Sequence, residues 1–189
     1  MRIIYTIAVS ILLSFVFFIA GCDTFSTNDS GSFDTAKNGL IEIRVTDAPP
    51  EYDIASIDVV FSIVEVHKTG DGQQEGGWVR IPIVNGQLDL IELDNEDLEE
   101  LLASTLITPG AYNQLRVVID EISVTLNGEG EPPYVFVPSG ELKFNQHFVI
   151  MDDVTTVVLL DFDAKESMTV TDSGRIIFNP VVHLTVNQE

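Results

Sequence analysis

The chain has 189 residues, with 30 Asp and Glu against nine Lys and Arg, a formal net charge of −21 at pH 7. So acidic a surface repels nucleic acid and anionic lipid headgroups, which argues against both as partners. A single cysteine excludes an intramolecular disulfide, so the folded part must stand by packing alone.

The chain opens on an apolar run from Ile3 to Ala20, interrupted by Tyr5, Thr6, Ser10 and Ser14 and preceded by Arg2. Ile19-Ala20-Gly21-Cys22 closes it with the pattern of a lipobox. Gly21 supplies the small residue before the cysteine, and Ile19 the apolar residue three positions before it. Residues 1–21 are therefore read as a lipoprotein signal peptide, with Ile19, Ala20 and Gly21 recognised by the signal peptidase and Cys22 carrying the lipid. A retained membrane helix and a buried structural cysteine are the alternatives. The polar stretch that follows the cysteine favours lipidation. Residues 22–39 comprise the lipidated cysteine and a tether rich in Ser, Thr, Asp, Asn and Gly, which is too poor in apolar side chains to order itself. A flexible coil of that length spans about 20–25 Å, enough to clear the headgroups. The expected location is the bacterial cell envelope, lipid-anchored and extracytoplasmic, on the periplasmic face or the cell surface.

Residues 40–189 are of a size that builds one core, and their dominant period is two. Ile41, Ile43 and Val45 alternate with polar neighbours until Asp47-Ala48-Pro49-Pro50 ends the strand. Ile57, Val59, Phe61 and Ile63 share a second face, while Val64 and Val66 take the opposite parity, as a bulge or burial on both faces would require. Asn85-Gly86 marks a hairpin between Trp78–Val84 and Gln87–Ile91, with Pro82 confining the first strand to an edge or a bulge. Leu98, Leu101 and Leu102 fall on one helical face behind Asp94 as N-cap, which predicts a short connecting helix over Asn95–Ala103. Strands resume at Tyr112–Ile119, Ile122–Leu126, Tyr134–Val137 and Leu142–Ile150. Val154–Phe162, the most apolar run, is read as a strand buried on both faces. Ile176–Val186 closes the domain, interrupted at Asn179-Pro180. About nine strands without βαβ alternation predict an all-β fold, an antiparallel immunoglobulin-like or prealbumin-like β-sandwich with one short connecting helix.

The residues that would carry chemistry are sparse. The cysteine is consumed by lipid, no Gly-x-Ser-x-Gly elbow exists, and His67, His147 and His183 lack the close spacing of a zinc site. No catalytic residue and no cofactor are assigned. Asp47, Asp161 and Asp163 at strand ends are the weak metal candidates, because calcium takes oxygen ligands alone. Trp78, Tyr112, Tyr134 and Tyr52 lie near turns and would suit glycan stacking if exposed, although core packing is the favoured reading for Trp78.

Ile43-Arg44-Val45-Thr46-Asp47-Ala48-Pro49, Val64-Glu65-Val66-His67, Gly77-Trp78-Val79, Asp89-Leu90-Ile91, Pro109-Gly110-Ala111-Tyr112-Asn113-Gln114-Leu115-Arg116, Leu160-Asp161-Phe162-Asp163-Ala164 and Asn179-Pro180-Val181-Val182 occur in that order. Together they resemble an uncharacterised prokaryotic lipoprotein domain family, the domain of unknown function DUF4382, over about residues 40–186. The resemblance implies an extracytoplasmic β-rich lipoprotein domain and supplies no catalytic mechanism. The expected function is a lipid-anchored envelope protein with a non-enzymatic binding or structural domain. Its partners would be the membrane, through Cys22, and an envelope protein or glycan. A carboxylate- or metal-dependent hydrolase of envelope or extracellular glycans is the alternative.

Overall fold

The computed structural model describes residues 37–48, 54–72, 75–96, 98–128, 135–136, 140–173 and 175–189. The signal, the lipobox with Cys22, most of the tether, Tyr52 and Tyr134 lie outside them. The first half of the chain forms β1 (Gly39–Ala48), β2 (Ile54–Lys68), β3 (Gly77–Arg80), β4 (Gln87–Asp89), helix α1 (Leu90–Glu96), β5 (Glu100–Ile107) and β6 (Gly110–Leu126). The second half forms β7 (Val135–Phe136), β8 (Glu141–Phe144), β9 (Phe148–Ile150), β10 (Thr155–Asp163), helix α2 (Ala164–Ser167), β11 (Met168–Val170), β12 (Ile176–Phe178) and β13 (Val182–Gln188).

These strands make an all-β fold of two principal sheets. One runs β13-β10-β1-β5; the other runs β3-β2-β6-β8, with β4 also on β2 and β9 also on β6. A small third sheet runs β11-β12-β7. The alternating apolar positions turn inward: Ile41, Ile43 and Val45 from β1 join Val64, Val66, Leu115 and Val117 from β2 and β6 in one buried cluster. Phe162 of β10 meets Phe61 of β2 edge to face, ring centroids 6.2 Å apart, so an aromatic pair joins the two sheets.

The change of parity in β2 is a bulge. Its register against β6 shifts on either side of Phe61, after which burial passes from Ile57, Val59 and Phe61 to Val64 and Val66. Ser62 and Asp120, the residues displaced by the shift, bond to each other through Oγ and Oδ1 at 2.6 Å.

Several local expectations are corrected. Most pairings are antiparallel, but β1 and β10 run parallel, as do β12 and β7. The run Val154–Phe162 is buried fully on one face only, through Thr156, Val158, Leu160 and Phe162. On the other face Val157 alone is buried, and Leu159, Asp161 and Asp163 are half-exposed. The helix lies earlier than expected, at Leu90–Glu96, where Asp89 Oδ1 accepts the Ile91 amide at 3.0 Å as its cap. Residues 100–107 become a strand because β1 offers a ladder that Glu100, Leu101 and residues 103–107 join, with Leu102 skipped at a register shift. A second short helix, Ala164–Ser167, follows Asp163, whose Oδ1 accepts the Glu166 amide at 2.8 Å.

The Asn85-Gly86 hairpin does not form. β3 and β4 both pair with β2, at Glu65–Lys68 and Asp58–Val60, as two parts of one interrupted edge. Between them the chain crosses to the other sheet. Val84 and Asn85 donate to the Leu102 carbonyl, and the Pro82 carbonyl accepts from Ser104. Pro82 thus sits at a break in the edge, where its missing amide hydrogen costs the sheet nothing.

Close approach explains two glycines. A Cβ on Gly39 would overlap the Met151 carbonyl and come within 2.6 Å of Ile150 Cγ2. One on Gly140 would overlap the Ile119 carbonyl, where the Ile119 amide donates to the Gly140 carbonyl at 2.6 Å.

Candidate functional site

The burial pattern leaves one face of the β3-β2-β6-β8 sheet open to solvent, and its side chains follow from register. With Val64, Val66, Leu115 and Val117 turned inward, Glu65, His67, Gln114 and Arg116 must turn outward. Glu65 lies beside Arg80 and Arg116, and Arg116 beside Lys143, so Arg80, Glu65, Arg116 and Lys143 form a row across four strands. His67, between Trp78 and Gln114, forms the next row.

Trp78 stands on the edge strand β3 of this face and not in the core: it is 40% exposed. The expectation of core packing failed because Trp78 pairs with His67, which has outward parity. Its indole is nevertheless held. The Arg116 guanidinium lies 4.4 Å from the ring centroid, and the His67 ring meets it nearly edge-on at 5.1 Å. Arg116 is fixed in turn by Glu65, through Nε at 3.1 Å and a second bond from Nη2, and by Glu141 through Nη1 at 3.5 Å. The hydrogen bonds that Arg116 donates to Glu65 lead the causes that raise its pKa above the ordinary value. Each contact removes rotational freedom before any ligand arrives.

Polar groups continue outward. His67 Nδ1 lies 3.0 Å from Asn113 Oδ1, and Gln114 Nε2 donates to Asn145 Oδ1 at 2.9 Å. Arg80 Nη2 donates to the Ser62 carbonyl at 3.1 Å. Lys143, 61% exposed, pairs with Glu141 at 3.2 Å. At the β8 edge these last two residues border a hollow of about 280 Å³ closed opposite by Asn179, Pro180 and Val182.

The other ring candidate among the described residues behaves differently. Tyr112 is fully buried, stacks on Phe148 at 5.6 Å, and donates its hydroxyl to the Thr108 carbonyl at 2.8 Å. Burial pushes its phenol pKa up. It offers nothing to a sugar.

The strand-end carboxylates are divided between faces. In the parallel register Asp47 lies beside Phe162 on the core side, where Oδ1 accepts the Ala164 amide at 3.2 Å. Asp161 lies on the opposite side, between Thr46 and His183, and Asp163 caps α2. Among the described residues no three His, Cys, Asp or Glu side chains are grouped so as to hold a metal ion. His147 lies in the exposed β8–β9 connection and His183 on β13, apart from His67.

Sequence reading had quoted Glu65, Gln114 and Arg116 as motif residues without giving them a role. Their signal is parity: Glu65 and Arg116 each fall at the polar position between two buried neighbours, and Gln114 falls two residues before Arg116.

The described residues thus form an all-β domain of packed sheets in which Trp78 and Arg116 meet on an open sheet face. The chain belongs to the family described as Domain of unknown function (DUF4382), whose model matches residues 38–180. Neither the curated proteins nor the solved structures include a match to it.

Proposed function

We propose that the chain is a lipid-anchored cell-envelope protein whose β domain binds a partner through the Trp78 face and performs no chemistry on it. The lipobox and the polar tether support the anchor; they would hold the domain near a membrane while leaving its sheet face accessible. The observation that carries the binding reading is the exposed indole of Trp78, fixed between Arg116 and His67. An exposed tryptophan held in one orientation contributes apolar area to a partner at little further entropic cost, and Trp and Arg are the residues most often found at binding hot spots.

The test is retention of the detergent-solubilised full chain on envelope material from which lipid has been extracted. Trp78→Ala is expected to weaken retention tenfold or more, the order of a hot-spot truncation. Thr185→Ala, exposed on β13, is expected to leave it unchanged. Equal retention of both variants contradicts the proposal, provided both melt as cooperatively as the parent chain.

A further inference from the structure

We infer that the partner of the Trp78 face is a glycan chain bearing carboxylates, laid along the edge strand β3. The inference rests on the reading of that face as the binding surface. Charge segregation on this one sheet carries it. The chain as a whole is strongly acidic, yet the row beside Trp78 places Arg80, Arg116 and Lys143 on three strands against Glu65 in the row and Glu141 at the next outward position of β8, so cations outnumber carboxylates there. The sign reverses at the bulge. Beyond Ser62, the outward positions include Asp58 on β2 and Glu121 on β6, with Asp120 at the bulge itself. At physiological salt the screening length is about 8 Å, so a ligand on the cationic half is largely shielded from charge elsewhere on the protein.

The cations are not equally committed. Arg116 is already balanced by Glu65 and Glu141, and it serves the indole. Arg80, by contrast, donates to the backbone carbonyl of Ser62 and among the described residues pairs with no carboxylate. Two strand spacings, roughly 10 Å, separate its Cα from that of Arg116. Trp78 and Arg80 stand on the same side of β3, two residues or about 7 Å apart, so a polymer running along that strand can set one sugar on the open side of Trp78 and deliver a carboxylate to Arg80. Gln114 and Asn145 supply planar amides for hydroxyl groups.

A protein partner fits less well. Its interface core would need a contiguous apolar centre, whereas the large exposed apolar side chains of this face, Trp78 on β3 and Val149 on β9, stand on different edges of the sheet, with Ile63 and Val118 half-buried.

Affinity electrophoresis of the detergent-solubilised full chain through gels containing polygalacturonate, alginate or dextran tests the inference. One or both acidic polymers are expected to retard the chain at about 0.15 M ionic strength, where the remaining acidic surface is screened, and to lose that effect at about 1 M salt, while neutral dextran does not retard it. Arg80→Gln should weaken retardation about tenfold, as expected for loss of a charge-assisted hydrogen bond, and Trp78→Ala should abolish it. Retardation by dextran equal to that by the acidic polymers, still sensitive to Trp78→Ala, overturns the carboxylate and leaves the binding face standing. Retardation by acidic polymers that survives both substitutions overturns the face as well. No retardation by any of the three overturns the glycan.

Discussion

Phe162→Ala is expected to lower the stability of the domain by about 3–5 kcal/mol, the usual cost of deleting a buried phenyl ring. Phe162 is fully buried on β10 and meets Phe61 across the sandwich. Removing it takes away the transfer free energy of the ring and leaves a cavity between two sheets whose backbones are fixed by their own ladders. Those ladders prevent the walls from closing. For a domain of this size the loss corresponds to a fall in Tm of roughly 6–20 °C, read by thermal melting with circular dichroism. Phe162→Leu, which keeps most of the volume, should lose less than half as much. A melting temperature unchanged by Phe162→Ala would show that the ring does not join the sheets as described.

The second large effect is expected at Cys22. Cys22→Ala removes the thiol to which lipid would be attached, so metabolic labelling with a radioactive fatty acid should fall to background and the uncleaved precursor should accumulate. Stable membrane association generally needs two hydrocarbon chains, because a single chain binds marginally and reversibly. A lipidated Cys22 satisfies that condition through its diacylglyceryl group, and nothing in the acidic domain would replace it by attraction to anionic lipid. Normal processing and membrane retention of the Cys22→Ala chain would contradict the anchor.

What could be read from sequence was the pattern written locally in single strands. Ile41, Ile43 and Val45 announce β1 unaided, because alternation records directly which side of a strand is buried. The change of parity at Val64 fits a bulge or burial on both faces; pairing with β6 selects the bulge and leaves Ile63 half-exposed instead of on the buried face with Phe61. Misreadings arose where a distant partner decided the outcome. Leu98, Leu101 and Leu102 satisfy a helical period, yet the ladder with β1 pairs Leu101 and Ala103 and carries Leu102 between them as part of β5. Asn85-Gly86 suits a tight turn, but residues around it gain bonds to Leu102 and Ser104 on the other sheet that a hairpin would not provide. The parallel pairing of β1 and β10 joins segments more than a hundred residues apart, a separation no local pattern encodes.

The candidate site was partly legible for the same reason. Residue type made Trp78 a candidate, but its side of the sheet was set by pairing with His67. Arg116 acquires its role only when β6 is registered against β2, which brings it to Glu65 and over the indole. Asp161 and Asp163 were correctly read as sharing a strand face, and the parallel register places Asp47 on the other side. Alternation within a strand specifies faces; it does not specify which faces become neighbours.

Binding through the Trp78 face is tested most directly by site-specific photocrosslinking in intact cells. A photoreactive residue replaces Gln114 on that face in one chain and Thr185 on β13 in another. From Gln114 a recurrent envelope component should be captured, and capture should disappear when Trp78→Ala is added; from Thr185 the same component should be absent. Equal capture from both positions, or capture from Gln114 that persists without the indole, would contradict binding through this face.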